Sequence, residues 1–409
     1  MSALTSRQVL RSPSGVGGLV MVLLLRIAPA AFAFLRRWWP IPHLGRFYAA
    51  TRYDDVVEVF ANDGLFGVPY KPKLDLLMGN EPFILGMADG PEYRQSIAAL
   101  QSVIRTEDLP ALAERAERQA SDIVAVSGGR IEVVDTLVRA ISFDMIADYL
   151  GIPAPAGGDL RVWGTRLFEY QFVSSDAPLV AEVEEIAPAL RAHIQAEIAR
   201  RRAQPDGRDD VLGRCLARQA AGDTWFDDTR IRTALTGMIV GGPPQPPMVV
   251  PQALEQLLRR PAALAEAQAA ARANDDDTLF RYVREAMRFD PLGPALPRIA
   301  VRDGILAEGT PRARRIPSGA KVFACFQSAM LDPRRLADPQ RFDPQRPDHD
   351  YVHFGHGMHE CFGRYINRAT LHLMLKPLLA RPGLRRVPGS AGRLRKAGAF
   401  AQSLTVEFE

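Results

Sequence analysis

At 409 residues with 47% apolar side chains, the chain can bury a large core, which excludes a disordered segment or a small disulfide-stapled scaffold. The three cysteines, Cys215, Cys325 and Cys361, form no pairing framework and point to a reducing, cytoplasmic setting. Net charge is only +4, and the basic residues are scattered beyond small clusters at 200–202 and 312–315, so no nucleic-acid surface is expected.

Residues 1–40 form a hydrophobic N-terminal segment, apolar from Leu19 to Leu35 but carrying Arg26 and Pro29 and ending in Arg36-Arg37-Trp38-Trp39-Pro40. A charge and a proline weaken a spanning helix, whereas tryptophans beside arginines suit a membrane interface. The readings it supports are an interfacial anchor, a helix packed on the protein's own core, or a true span. A signal peptide lacks a clear cleavage site.

Phe47 to Tyr53 alternates like a strand, and Asp54 is placed to cap the helical run Val56, Val57, Val59 and Phe60. Pro69 to Pro82 reads as a long loop. Asp89-Gly90-Pro91-Glu92 opens another helix, with its proline near the start and an acidic first turn. Helical periodicity dominates 109–150 and 177–202, where Ile186, Leu190, Ile194 and Ile198 read as core. Residues 278–289 form an amphipathic helix capped by Asp277, and Glu285 and Arg288 are neighbours on its surface. A turn at Pro317-Ser318-Gly319 leads into a strand, and 398–408 reads as a final hairpin.

The densest chemistry lies in Phe354-Gly355-His356-Gly357-Met358-His359-Glu360-Cys361-Phe362-Gly363. Cys361 precedes the apolar-periodic residues Ile366, Ala369, Leu373, Leu375 and Leu378, which places its sulfur near a helix N-terminus, where backbone N–H groups favour a thiolate. Such a thiolate serves as a nucleophile, a zinc ligand or an axial ligand to haem iron. Zinc is the sharper rival, since His353, His356 and His359 crowd the cysteine, yet no second ligand cluster follows at finger spacing.

The loop resembles the haem-binding loop of the cytochrome P450 family, Phe-Gly-x-Gly-x-His-x-Cys-x-Gly, matched by Phe354, Gly355, Gly357, His359, Cys361 and Gly363. The resemblance implies a mainly α fold with a small β-rich lobe spanning 41–409, and haem b ligated by Cys361. It implies a structural network of Glu285, Arg288 and Arg346, and a haem-propionate contact from Arg298. The family's propionate helix is altered: Tyr93 replaces the histidine, Ile97 stands where the arginine is expected, and Arg94 or Arg105 are the substitutes at hand. The resemblance makes the 69–82 loop a roof over the substrate pocket, to which Leu296 and Phe400 are assigned by placement.

The chain departs from the family at Gly241-Gly242-Pro243-Pro244-Gln245-Pro246-Pro247. In the family a long helix crosses the distal haem face with two small residues, then an acid and an alcohol that relay protons. Gly241 and Gly242 match the small pair, but the acid falls at Pro244 and the alcohol at Gln245. Proline carries no side-chain proton, and an amide is no acid or base near neutral pH. Prolines also remove backbone donors, so the helix is expected to break over the haem.

The expected function is a haem-thiolate oxidoreductase acting on an apolar, fatty-acid-like substrate, with Gln245 orienting a peroxide or lipid hydroperoxide for oxygen insertion or rearrangement. The alternatives are reductase- and dioxygen-dependent monooxygenation, with a ferredoxin or flavin reductase as partner, and a haem and hydrophobic-ligand binder without oxygen activation. A carboxylate at Glu360, on the face where reductases dock in the family, does not favour an acidic partner.

Overall fold

The computed structural model describes residues 15–409, apart from the side chains of 15–22, 24 and 26. Residues 1–14 of the N-terminal segment, and the side chains of Leu19 and Arg26, therefore lie outside the described residues. The chain builds a large helical lobe and a small β-rich lobe.

The helical lobe packs around Leu137, Ile141, Phe143, Leu190, Ile194, Leu235, Ile239, Leu254 and Leu279, all essentially inaccessible. Each such side chain contributes about 1.5–3 kcal/mol on burial, so the lobe's stability is spread over dozens of contacts. The β-lobe core gathers Ile41, Val56, Phe60, Phe66 and Val322 around a five-stranded sheet. Its strands run in the order His43–Leu44, Phe47–Ala50, Lys321–Ala324, Leu296–Ala300, Phe66–Gly67. Strand 47–50 lies parallel to 321–324, and the other pairings are antiparallel.

Several local expectations are corrected. The stretch 69–82 is not a loop: Lys71–Met78 is a helix that buries Leu74, Leu77 and Met78. Their 3–4 residue spacing is helical, Pro72 is tolerated in the first turn, and Gly79 ends the helix at φ 72°. The helix after the first strand is Tyr53–Ala61 with Arg52 at its N-cap, so Asp54 lies inside its first turn. Asp275, not Asp277, caps Asp276–Phe289 by accepting from the Thr278 N–H at 3.0 Å. Residues 109–150 are interrupted after Ala125 by strand Arg130–Glu132, following Gly128 and Gly129 at positive φ. Of the 398–408 stretch, Phe400–Ser403 pairs with Arg395–Ala397, but Thr405–Glu407 joins a separate sheet beside Arg130–Glu132.

The N-terminal helix is Gly15–Trp38 with Pro29 inside it. Among the described residues no helix is long and apolar enough to cross a membrane. Its C-terminal end is tied to the body. Arg36 is buried and donates to the Ser328 hydroxyl at 2.9 Å and carbonyl at 3.1 Å, while Arg37 stacks on Trp38.

A buried ionic pin clamps the cysteine loop's base. Arg288 meets Glu285 through two parallel bonds of 2.7 and 2.8 Å, with both side chains fully buried. Arg346 stands 3.6 Å from the same carboxylate and donates to the carbonyls of Ala337 and Asp338. The Asp343 N–H and the Tyr351 hydroxyl complete the coordination of Glu285. Such a network fixes geometry because the Glu285 carboxylate and the Arg288 guanidinium are hydrogen-bonded throughout.

Candidate functional site

Cys361 is held by its own loop. Its N–H donates to the Phe354 carbonyl at 2.8 Å, and its carbonyl accepts from Arg364 at 3.2 Å. Gly355 and Gly357 adopt φ of 77° and 75°, a region costly for other residues. At Gly357 an added Cβ would stand 2.7 Å from the Phe60 carbonyl, so glycine lets the loop lie directly on helix Tyr53–Ala61. Phe354 starts this loop and Gly363 closes it, serving as N-cap of helix Arg364–Thr370. Burial raises the Cys361 thiol, against the Gly363 N–H. Coordination to a metal would itself remove that proton. Arg364 engages Glu360 one turn back, so Glu360 is no free anion.

A second cluster sits beside the loop. Arg298 is 2% exposed, and among the described residues it has no ion-pair partner. One of its amino groups donates to the Pro297 carbonyl at 3.1 Å, and its Nε has no partner. Burial lowers its pKa, opposed by Tyr70 and Asp63 nearby. A guanidinium in that state calls for a carboxylate ligand. His359 is held down to about 4 by burial and by Arg298, so the neutral imidazole faces this cation. Tyr93 packs edge-on against His359, ring centres 5.8 Å apart, and donates to the Met358 carbonyl at 2.6 Å. Arg94 stands apart, in an exposed ion pair with Asp89, and Arg105 pairs with Asp108 and Asp209. Sequence reading missed Tyr70 and Asp63 here; the helical spacing of Tyr70, Leu74 and Leu77 was the available signal.

The broken helix lies in the helical lobe. Helix Asp228–Gly241 ends at the two glycines, and Pro246–Leu258 resumes after them. At Gly241 an added Cβ would meet nothing within 4 Å, whereas at Gly242 it would stand 2.8 Å from the Met238 carbonyl. The Gln245 side-chain amide donates to the Gly241 carbonyl. Only the NH2 end of an amide can meet a carbonyl, so the Oε1 and the second N–H of Gln245 remain. Ser142, a residue with no signal in the sequence, donates to the Pro243 carbonyl at 2.8 Å, and Thr236 donates to the Arg232 carbonyl at 2.8 Å. Both flanking hydroxyls are thus committed to backbone, and the break itself contains neither acid nor alcohol.

Beyond the break, Met248 packs with Phe168 and Phe400 in a small apolar cluster. Phe168 and Phe400 meet edge-on with ring centres 6.1 Å apart.

Comparison with known proteins gives a consistent result. The family model "Cytochrome P450" matches residues 172–391, more than half of the chain. The chain is 26% identical over 317 residues to an erythromycin C-12 hydroxylase of Saccharopolyspora erythraea, covering 77% of each. It is 34% identical over 121 residues to a bifunctional dioxygenase–epoxy alcohol synthase of Pyricularia oryzae, covering 30% of this chain and 10% of that one. Its fold matches that of P450BioI, solved with an acyl carrier protein ligated to hexadec-9Z-enoic acid, at a TM-score of 0.80 and 19% identity, over 95% of this chain and 100% of the other.

Proposed function

The chain belongs to the cytochrome P450 family, a haem b oxidoreductase by that membership, and on this premise we propose that it turns over a peroxide or lipid hydroperoxide on an apolar substrate. Cys361 would be the axial ligand, and Arg298, with neutral His359 beside it, would hold the propionates; the partnerless Nε of a buried guanidinium fits that role. Bound there, haem supplies the redox-active iron for O–O cleavage.

The observation that carries the peroxide reading is the break at 242–245, where the proton-relaying acid and alcohol are replaced by Pro244 and Gln245. Cleaving dioxygen needs two electrons and two delivered protons, and no side chain in the break carries a proton that titrates near neutral pH. A hydroperoxide arrives with its O–O bond already reduced. Transfer of one oxygen to a substrate leaves an alcohol, and rearrangement to an epoxy alcohol is an isomerisation, so neither consumes external electrons. The remaining N–H and Oε1 of Gln245 can hold the two peroxide oxygens, and Gly241 leaves space beside them. The Pyricularia oryzae relative, a bifunctional dioxygenase–epoxy alcohol synthase sharing 121 aligned residues, supports the reading.

The name of the Saccharopolyspora hydroxylase favours a second reading, dioxygen-dependent hydroxylation with a reductase partner. Anaerobic incubation of the holoprotein with an unsaturated fatty-acid hydroperoxide, without reductant, separates the two. Steady product formation supports the first reading, and none, with hydroxylation restored by reductase and air, supports the second.

Contact with a membrane surface is part of the proposal. Exposed Leu23, Ile27, Phe34 and Trp38 fall within about 60° of one another around the N-terminal helix at 3.6 residues per turn, an apolar stripe beside arginines. Unchanged vesicle binding after deletion of residues 1–37 would refute it.

A further inference from the structure

A cavity of about 540 Å³ lies between the N-terminal helix, the 290–294 turn and the hairpin of Arg395–Ala397 with Phe400–Ser403. Its volume is that of a small-molecule site, and its walls differ in character.

The outer wall is cationic. Arg259, Arg395 and Lys396 line it together with a single carboxylate, Asp290. Lys396 and Asp290 cancel through a 2.6 Å ion pair. Arg259 pairs with Glu255 at 2.7 Å, but Arg386 takes the same carboxylate at 2.9 Å, so one anion serves two guanidiniums. Arg395 is exposed and has no ion-pair partner among the described residues. The rim therefore carries unneutralised positive charge around a half-open cleft.

The inner wall adjoins a packed apolar cluster. The turn at Gly398 and Ala399 lines the cavity, and the next residue, Phe400, is buried against Phe168 and Met248. Leu292, between the cavity-lining Pro291 and Gly293, packs on the same cluster. Met248 in turn donates its N–H to the Gln245 carbonyl at 2.9 Å. A cationic rim thus adjoins one apolar cluster whose Met248 is bonded to Gln245 in the helix break.

We propose that this cavity binds the carboxylate of a long-chain acid, with Arg395 as the recognising cation, Arg259 in support, and the chain running past Phe400 toward Gln245. The proposal rests on the lipid-substrate reading above and specifies its substrate as a free acid rather than a neutral lipid.

The test is equilibrium dialysis of the holoprotein with dodecanoate and, separately, dodecanol, neither of which is a peroxide. Dodecanoate should bind about tenfold more tightly, the scale of one charge-assisted hydrogen bond. Arg395→Ala should bring the acid to the alcohol's affinity, and Arg395→Lys should keep part of the preference. Because Arg395 is exposed, neither change should disturb folding, which the haem spectrum of each variant verifies. Equal binding of acid and alcohol by the unaltered protein, or an Arg395→Ala loss shared by both ligands, would overturn the site. An intact acid preference without hydroperoxide turnover sinks the peroxide reading and leaves the site standing. Turnover without an acid preference does the reverse.

Discussion

Gln245 folds its side-chain amide back onto the carbonyl of Gly241, its neighbour across the break in the distal helix. In an unbroken helix that carbonyl would take the backbone N–H of residue 245; here that N–H reaches only the Gly242 carbonyl, at 3.4 Å. The side chain thus replaces a lost helical bond and is fixed in orientation by doing so. Gln245→Ala should reduce turnover of a fatty-acid hydroperoxide on the order of a hundredfold in kcat, the effect of removing one preorganised donor. Haem content measured in the same samples should stay unchanged; parallel loss of haem and activity would make Gln245 purely structural.

Arg298 is the second point of leverage. A buried guanidinium with no ion-pair partner is costly, so haem carboxylates and Arg298 should stabilise one another. Arg298→Ala should weaken haem retention, read by transfer of haem to apomyoglobin, with Arg298→Lys in between because a lysine keeps the charge but not the fork. Retention equal to that of the unaltered protein would remove Arg298 from the haem site.

Glu285 accepts from Arg288, the Asp343 N–H and Tyr351 while fully buried. Glu285→Ala leaves the guanidinium of Arg288 uncompensated and should cost about 3–5 kcal/mol, seen in urea unfolding of the holoprotein. A loss below about 1 kcal/mol, the range of an exposed pair, would show that the pin is not stabilising.

Acid sensitivity should follow His372. It is 5% exposed, packs edge-on against Phe280, and is held down to about 4 chiefly by burial, with Lys376 reinforcing and Asp276 and Asp277 opposing. Its folded pKa lies below the unfolded value of about 6.5, so the unfolded chain binds the proton first. The contribution is therefore complete above about pH 6.5 and is lost as pH falls from there toward 4. Thermal midpoints measured between pH 7 and 5 should fall, and His372→Phe should flatten part of that fall. An identical slope in the variant would exclude His372 as a source.

Much of this was legible in the sequence where the determining contacts are local. The cysteine loop depends on glycines at fixed spacing, and Glu285 and Arg288 are neighbours on any helix. The distal break followed from prolines that cannot donate. Caps were misplaced within acidic clusters, since Asp54 and Asp277 have the right chemistry but not the N-cap position; that is set by which residue leaves helical geometry. The helix at 71–78 was obscured by flanking prolines, although Leu74, Leu77 and Met78 carried its period. Ser142 on Pro243 spans 101 residues, and no local pattern announces such a bond. Arg94 lies close in sequence to the expected propionate position, yet it points into an exposed pair with Asp89.

The most direct measurement supplies the holoprotein with an unsaturated fatty-acid hydroperoxide labelled with ¹⁸O in both peroxide oxygens, under unlabelled air with a reductase and its reductant present, and weighs the product by mass spectrometry. Peroxide-driven chemistry at a break holding Gln245 in place of the relay predicts that the oxygen gained by the product carries the hydroperoxide label. Unlabelled oxygen drawn from air, formed only while the reductase runs, would contradict it.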